Sequence, residues 1–127
     1  MQHLSYQEVK KYPTPFFLFD EDHLTNLVSL IKQAFEQYWH NGLIAYSVKT
    51  NSLPYLAKVL SYQDVAAEVV SEDEFDFINK IEKWGGKIVC NGPIKHVGWI
   101  NKILSQECYL NIDSKNELKL VEKYAIH

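Results

Sequence analysis

Leu43-Ile44-Ala45-Tyr46-Ser47-Val48-Lys49 is an apolar, β-favouring run that follows Asn41-Gly42 and leads into Asn51, Ser52 and Pro54. Similar runs begin at Val65 (VAAEVVS), Lys87 (KIVCN) and Cys108 (CYLNID), so the starts are spaced by 22, 22 and 21 residues. Segments with helical periodicity fill the intervals. A strand, helix, strand, helix alternation implies parallel strands joined by right-handed crossovers, so the chain reads as an α/β protein.

The helices carry their own punctuation. Leu24, Leu27, Val28, Ile31, Phe35, Tyr38 and Trp39 recur at spacings of three and four, which predicts a helix over about 22–39 that Asn41-Gly42 stops. Asn51-Ser52 opens a second, short helix with Pro54 in its first turn, where a missing N–H costs nothing, and it runs to about Leu60. Ser71 stands three residues before Glu74, and Ser114 three before Glu117; both pairs are capping boxes placed directly after a strand. Between those two helices, Pro93 marks the approach to a helix from about His96 to Leu104, with Trp99, Ile100, Ile103 and Leu104 on its buried face. Gly85-Gly86 separates the Ser71 helix from the third strand. Ahead of the repeat, Tyr12-Pro-Thr-Pro-Phe-Phe-Leu-Phe-Asp20 reads as one extra, leading strand within 1–20, with the β/α units over 21–127 of a single domain.

Two architectures fit this rhythm: an open doubly wound sheet, or the first half of an eight-stranded (β/α) barrel. A complete barrel takes about 250 residues, so 127 residues supply about half of one.

Composition narrows the function. The chain is 46% hydrophobic with a formal net charge of −3, and all thirteen of its cations are lysine. Without arginine forks or a basic patch, nucleic acid is not an expected partner. No apolar run nears the roughly 18 to 20 residues that span a bilayer, so no membrane association is expected, and the start lacks a basic-then-apolar signal pattern. A cytoplasmic location is the expectation. Cys90 and Cys108 are too few for a disulfide framework or a four-ligand zinc site and read as reduced, buried thiols. His3, His23, His40, His96 and His127 show no i, i+4 pairing, so no metal is expected.

In an α/β sheet reactive groups gather at the carboxyl ends of strands, which selects Lys49, Glu68 with Ser71, Asn91 with Gly92, and Asp113 with Ser114. Lys49 would share a strand face with Leu43, Ala45 and Ser47, opposite Ile44, Tyr46 and Val48. A lysine beside small residues at the end of a buried strand packs poorly but suits an active site, because burial lowers an amine's pKa and frees it for Schiff-base chemistry. The alternative is a lysine that snorkels into solvent. Glu68 by its position alone reads as a strand-end carboxylate in water. Asn91, Asp113 and Ser114 read as caps and turn formers.

Tyr46-Ser-Val-Lys-Thr-Asn51 resembles the cofactor-lysine motif of the fold-type III pyridoxal-phosphate enzymes, the ornithine, diaminopimelate and arginine decarboxylase family. The likeness continues in order along the chain. Tyr12 to Asp20 resembles the Thr-Pro-led strand near the start of diaminopimelate decarboxylases. Ala67-Glu-Val-Val-Ser-Glu-Asp-Glu-Phe75 is similar to the second barrel strand and its helix start. Asn91-Gly-Pro-Ile-Lys95 and Asn111-Ile-Asp-Ser-Lys-Asn-Glu-Leu118 resemble the segments after the third and fourth strands.

The resemblance implies a partial (β/α)8 barrel, about four parallel units long, and pyridoxal 5'-phosphate as cofactor. It implies that Lys49 carries the cofactor covalently, that Ser47 lies near the cofactor ring, and that Glu68 points into the barrel at a position the family usually fills with aspartate. The implied reaction is decarboxylation of an amino acid of the diaminopimelate, ornithine or arginine type. The family's phosphate loop and the acidic partner of the pyridine nitrogen fall on later strands, so the chain is expected to need a missing C-terminal half or a homodimer partner. The alternatives are a non-catalytic module that binds pyridoxal phosphate or regulates a decarboxylase, and an amino-acid racemase of the same fold class.

Overall fold

The computed structural model describes residues 6–84 and 87–125. Four strands form one sheet in the order β1-β2-β3-β4: β1 (Ala45–Ser47), β2 (Ala66–Val69), β3 (Ile88–Cys90) and β4 (Tyr109–Leu110). Every neighbouring pair is parallel. A doubly wound sheet reverses its strand order part-way across, and this sheet does not, so the winding is that of half a (β/α) barrel.

Helix α2 (Glu21–Glu36) precedes β1, and α3 (Pro54–Ser61), α4 (Glu72–Ile78) and α5 (Val97–Leu104) connect successive strands. Helix α6 (Lys115–Tyr124) follows β4, and one short turn of helix, α1 (Tyr6–Val9), lies ahead of them all. The core sits between the sheet and the helices. Val48, Leu56, Leu60, Ala67, Val69, Phe75, Ile78, Trp84, Ile88, Cys90, Trp99 and Ile103 form one buried cluster. Each large apolar side chain so buried stabilises the fold by about 1.5–3 kcal/mol relative to exposure. The buried indole of Trp84 keeps a hydrogen bond, donating Nε1–H to the Val65 carbonyl at 2.6 Å as the chain enters β2.

Pairing fixes which side chains share the other face. Ser47 stands opposite Glu68, Glu68 opposite Val89, and Val89 opposite Tyr109, so these four cross the sheet in one row. None of the four is fully buried, and Tyr109 is exposed, whereas Ala67, Val69, Ile88 and Cys90 on the alternate positions are sealed in the core.

The strand-to-helix turns form as the capping boxes predict, with one difference. Ser71 Oγ accepts the Glu74 N–H at 3.2 Å and Ser114 Oγ accepts the Glu117 N–H at 3.1 Å. The glutamates reach back one residue further than a simple box requires: Glu74 takes the Val70 N–H at 2.9 Å and Glu117 the Asp113 N–H at 2.7 Å, each just before the cap. The N–H that precedes each cap residue is thereby satisfied as well. Helix α5 is capped by His96, whose Nδ1 accepts the Trp99 N–H at 3.3 Å, a role its sequence did not announce.

Three expectations need correction. Residues 12–20 form no strand: β1 to β4 make up the whole sheet among the described residues, and Phe17 and Leu18 stand exposed, because an extended run pairs only where a neighbouring strand offers its N–H and C=O groups. Only Phe19 of that run packs against the core. The first helix ends at Glu36 rather than Trp39, since the Tyr38 and Trp39 N–H groups both turn back to the Phe35 carbonyl at 3.1 and 3.0 Å. Its apolar stripe is also only partly used: Leu24 and Val28 touch the core, while Leu27, Ile31, Tyr38 and Trp39 are exposed. The Gly85-Gly86 break, His3 and His127 lie outside the described residues.

Candidate active site

The carboxyl end of β1 is where sequence and structure differ most usefully. Strand β1 stops at Ser47, and Val48–Thr50 coil into a single 3-10 turn. The turn is built by local bonds: Thr50 Oγ1 donates to the Ser47 carbonyl at 2.7 Å, the Asn51 N–H to the Val48 carbonyl at 3.2 Å, and the Tyr46 hydroxyl to the Asn51 carbonyl at 3.0 Å. Val48 is thus driven into the core at 0% exposure, and Lys49 leaves the strand's alternation. Lys49 is exposed, not buried as a strand residue would be, and no hydrogen bond or ion pair holds its amine among the described residues. Asn51 Oδ1 then accepts the Leu53 N–H at 3.1 Å in a local turn, and Leu53, with no side-chain cap of its own, leads into α3, whose first residue is Pro54 rather than Asn51 or Ser52.

The end of the sheet that carries Lys49 also holds a hydrogen-bonded row. Ser47 Oγ donates to Glu68 Oε2, and Asn91 Nδ2 donates to Glu68 Oε1 at 3.0 Å. The Glu68 carboxylate is half-buried and has both oxygens engaged, so it joins β1, β2 and the residue after β3 across the open face of the sheet. The structure brings Ser47 and Glu68 together in one hydrogen bond. Asn91, which the strand-end rule selects but which reads from sequence as a cap or turn former, caps no helix; its place follows from lying two residues beyond Val89, on the same face as Glu68. Periodicity two, counted past the end of the strand, is the signal that finds it.

A second polar group braces the neighbouring turns. Lys95 Nζ is buried and donates to the Gly92 carbonyl, to Asp113 Oδ2 at 3.2 Å and to Glu117 Oε1 at 3.1 Å. Gly92 itself has φ +97°, and a Cβ there would stand 2.6 Å from the Val70 carbonyl oxygen, so only glycine lets this turn close on the end of β2. Asp113 and Ser114 are structural, as expected, one in the ion pair and the other at the cap.

Comparison with known proteins places this geometry. Residues 22–127 match the family described as "Pyridoxal-dependent decarboxylase, pyridoxal binding domain". The chain belongs to that family. A diaminopimelate decarboxylase of Helicobacter pylori (strain J99) is 32% identical over 123 residues, which cover 95% of this chain and 30% of the relative. The crystal structure of diaminopimelate decarboxylase from Helicobacter pylori complexed with L-lysine superposes with a TM-score of 0.82 at 30% identity, covering 94% of this chain and 30% of that one. Diaminopimelate decarboxylase from M. jannaschii, at 23% identity and a TM-score of 0.77, shares the fold. The chain therefore spans 30% of the length of the curated Helicobacter relatives it matches.

Pyridoxal 5'-phosphate is the cofactor that family membership implies, and the residues present fit it. The aldehyde of that cofactor needs an accessible primary amine, and Lys49 offers one at a strand's carboxyl end. The strand that leads to it carries the small residues Ala45 and Ser47, and the half-buried carboxylate of Glu68 adds a polar group at the same end of the sheet.

Proposed function

We propose that this chain is the lysine-bearing portion of a pyridoxal-phosphate-dependent amino-acid decarboxylase of the diaminopimelate type. Lys49 Nζ holds the cofactor, and Ser47 and Glu68 lie beside it as binding residues. The observation that carries the reading is the exposed Lys49 amine set two residues beyond the Ser47–Glu68 hydrogen bond, at the carboxyl end of a barrel-type strand.

When bound, pyridoxal phosphate supplies an electron sink for the pair left behind as carbon dioxide departs. The protein's own contribution is placement. The 3-10 turn fixes where the Lys49 stem leaves the sheet, and the Ser47 hydroxyl stays tied to Glu68. The substrate is an amino acid, and the open face of the sheet is covered by further barrel strands or by a second copy.

The test joins this chain to the part of the Helicobacter pylori relative that lies beyond the match. With pyridoxal phosphate the joined protein should release carbon dioxide from diaminopimelate, and Lys49→Ala should abolish the release. Failure to decarboxylate diaminopimelate, ornithine, arginine or lysine would overturn the proposal.

A further inference from the structure

Glu68 sits at the centre of the row, and two donors from different strands hold it. Ser47 approaches from β1 and takes Oε2; Asn91 approaches from beyond β3 and takes Oε1 at 3.0 Å. Asn91 is itself rigidly mounted. Its N–H donates to the Val69 carbonyl at 2.8 Å in continuation of the sheet, and the next residue is Gly92, packed against Val70. A glutamate side chain has three rotatable bonds and, left alone at a strand end, samples many positions. Donors fixed on both sides remove that freedom.

We infer that Asn91 is a positioning residue: together with Ser47 it pins the Glu68 carboxylate at the end of the sheet that carries Lys49, so that the anionic group of the site has to reside on residue 68. The inference rests on the cofactor-binding reading above and adds Asn91 to it. Asn91 acts through Glu68 and touches neither cofactor nor substrate.

An isosteric exchange separates this role from a structural one. In the native row Ser47 and Asn91 donate to the Glu68 carboxylate. In the double variant Glu68→Gln/Asn91→Asp, Ser47 donates to the Gln oxygen and the Gln amide donates to the new carboxylate, so every bond is kept while the charge moves by one strand. Each protein, as the full 127-residue chain, is incubated with pyridoxal phosphate and reduced with borohydride, and the adduct at Lys49 is quantified by peptide mass; its urea midpoint is measured in parallel.

Asn91→Asp alone sets two carboxylates against each other and should lower both the midpoint and the Lys49 adduct, the latter by about tenfold. The exchange should restore the midpoint and leave the adduct low. Recovery of both would reduce Asn91 to a structural role and overturn the inference, and failure of the exchange to recover the midpoint would overturn the pairing itself. If Asn91→Asp does not fold, Asn91→Ala makes the same first comparison. A native chain that labels at Lys49 beside an equally labelled Asn91→Asp or Asn91→Ala overturns this inference alone. A native sequence without a Lys49 adduct, both alone and when joined to the later part of the Helicobacter pylori relative, overturns the cofactor reading and this inference with it.

Discussion

Lys95 Nζ lies 3.1 Å from Glu117 Oε1, with only 1% of the lysine side chain and 7% of the glutamate side chain exposed. The pair joins the turn after β3 to the start of α6, and the other Glu117 oxygen holds the Asp113 N–H at 2.7 Å. One carboxylate thus serves an ion pair and a helix start together. Removing one partner of a buried pair leaves an uncompensated charge, which costs more than the pair contributes. Lys95→Met should destabilise the chain by about 3–5 kcal/mol. Adding Glu117→Gln, which keeps an acceptor for Asp113, should recover a large part of that loss, as read from urea unfolding of the single and double variants.

Gly92 offers a steric test. With φ at +97° and the Val70 carbonyl oxygen 2.6 Å from the position of an added Cβ, Gly92→Ala meets backbone strain and a backbone clash together. The expected cost is about 1–3 kcal/mol from the φ angle alone. A midpoint shift under urea smaller than that of an exposed helix substitution, such as Lys119→Ala, would contradict the geometry.

These two features show how far the sequence was legible. The strand starts, the four-unit rhythm and both serine caps were readable because each depends on neighbours within a few residues. Glu68 was readable as a strand-end group and Ser47 as a small residue on its strand's face, but their hydrogen bond depends on register, which sets Ser47 against Glu68 across 21 residues of chain. Lys49 was singled out by position and resemblance with burial and exposure both open, and the choice between them depends on the 3-10 turn into which Thr50 and Tyr46 coil the chain. Residues 12–20 failed as a strand for a related reason: β propensity is local, whereas strand pairing needs a partner edge.

The thiols should be inert while the chain is folded. Burial, with the neighbouring Cys108 adding to it, pushes the Cys90 thiol up to about 12, and burial raises Cys108 as well. The thiolate is the reactive form, so iodoacetamide at mildly alkaline pH should modify both slowly in buffer and rapidly in urea, with half-buried Cys108 reacting ahead of Cys90. Mass spectrometry of timed samples checks the order.

Acid sensitivity should trace partly to Glu72. Its hydrogen bond with Lys102, at 2.6 Å, holds its carboxyl below the usual range against the opposing effect of burial, and His96, 2.8 Å away, adds to the lowering. A carboxyl lowered in the folded state stabilises at pH above its unfolded value, and that contribution is lost as pH falls through the folded value. Lys102 is raised by the same bond, so its share is present below the unfolded lysine value and lost as pH rises through the folded one. Glu72→Gln should therefore lower Tm at neutral pH and flatten its decline on acidification. Because Lys102 is 45% exposed, salt should shrink the difference.

The most direct test of the central claim is chemical: incubate the 127-residue chain with pyridoxal phosphate, reduce with borohydride, and map the phosphopyridoxyl group by peptide mass. The account predicts an adduct concentrated on Lys49 among thirteen lysines, weakened by Glu68→Ala. Labelling spread evenly over exposed lysines, or Lys49 left unmodified, in this chain and in the protein joined to the later part of the Helicobacter pylori relative alike, would contradict it.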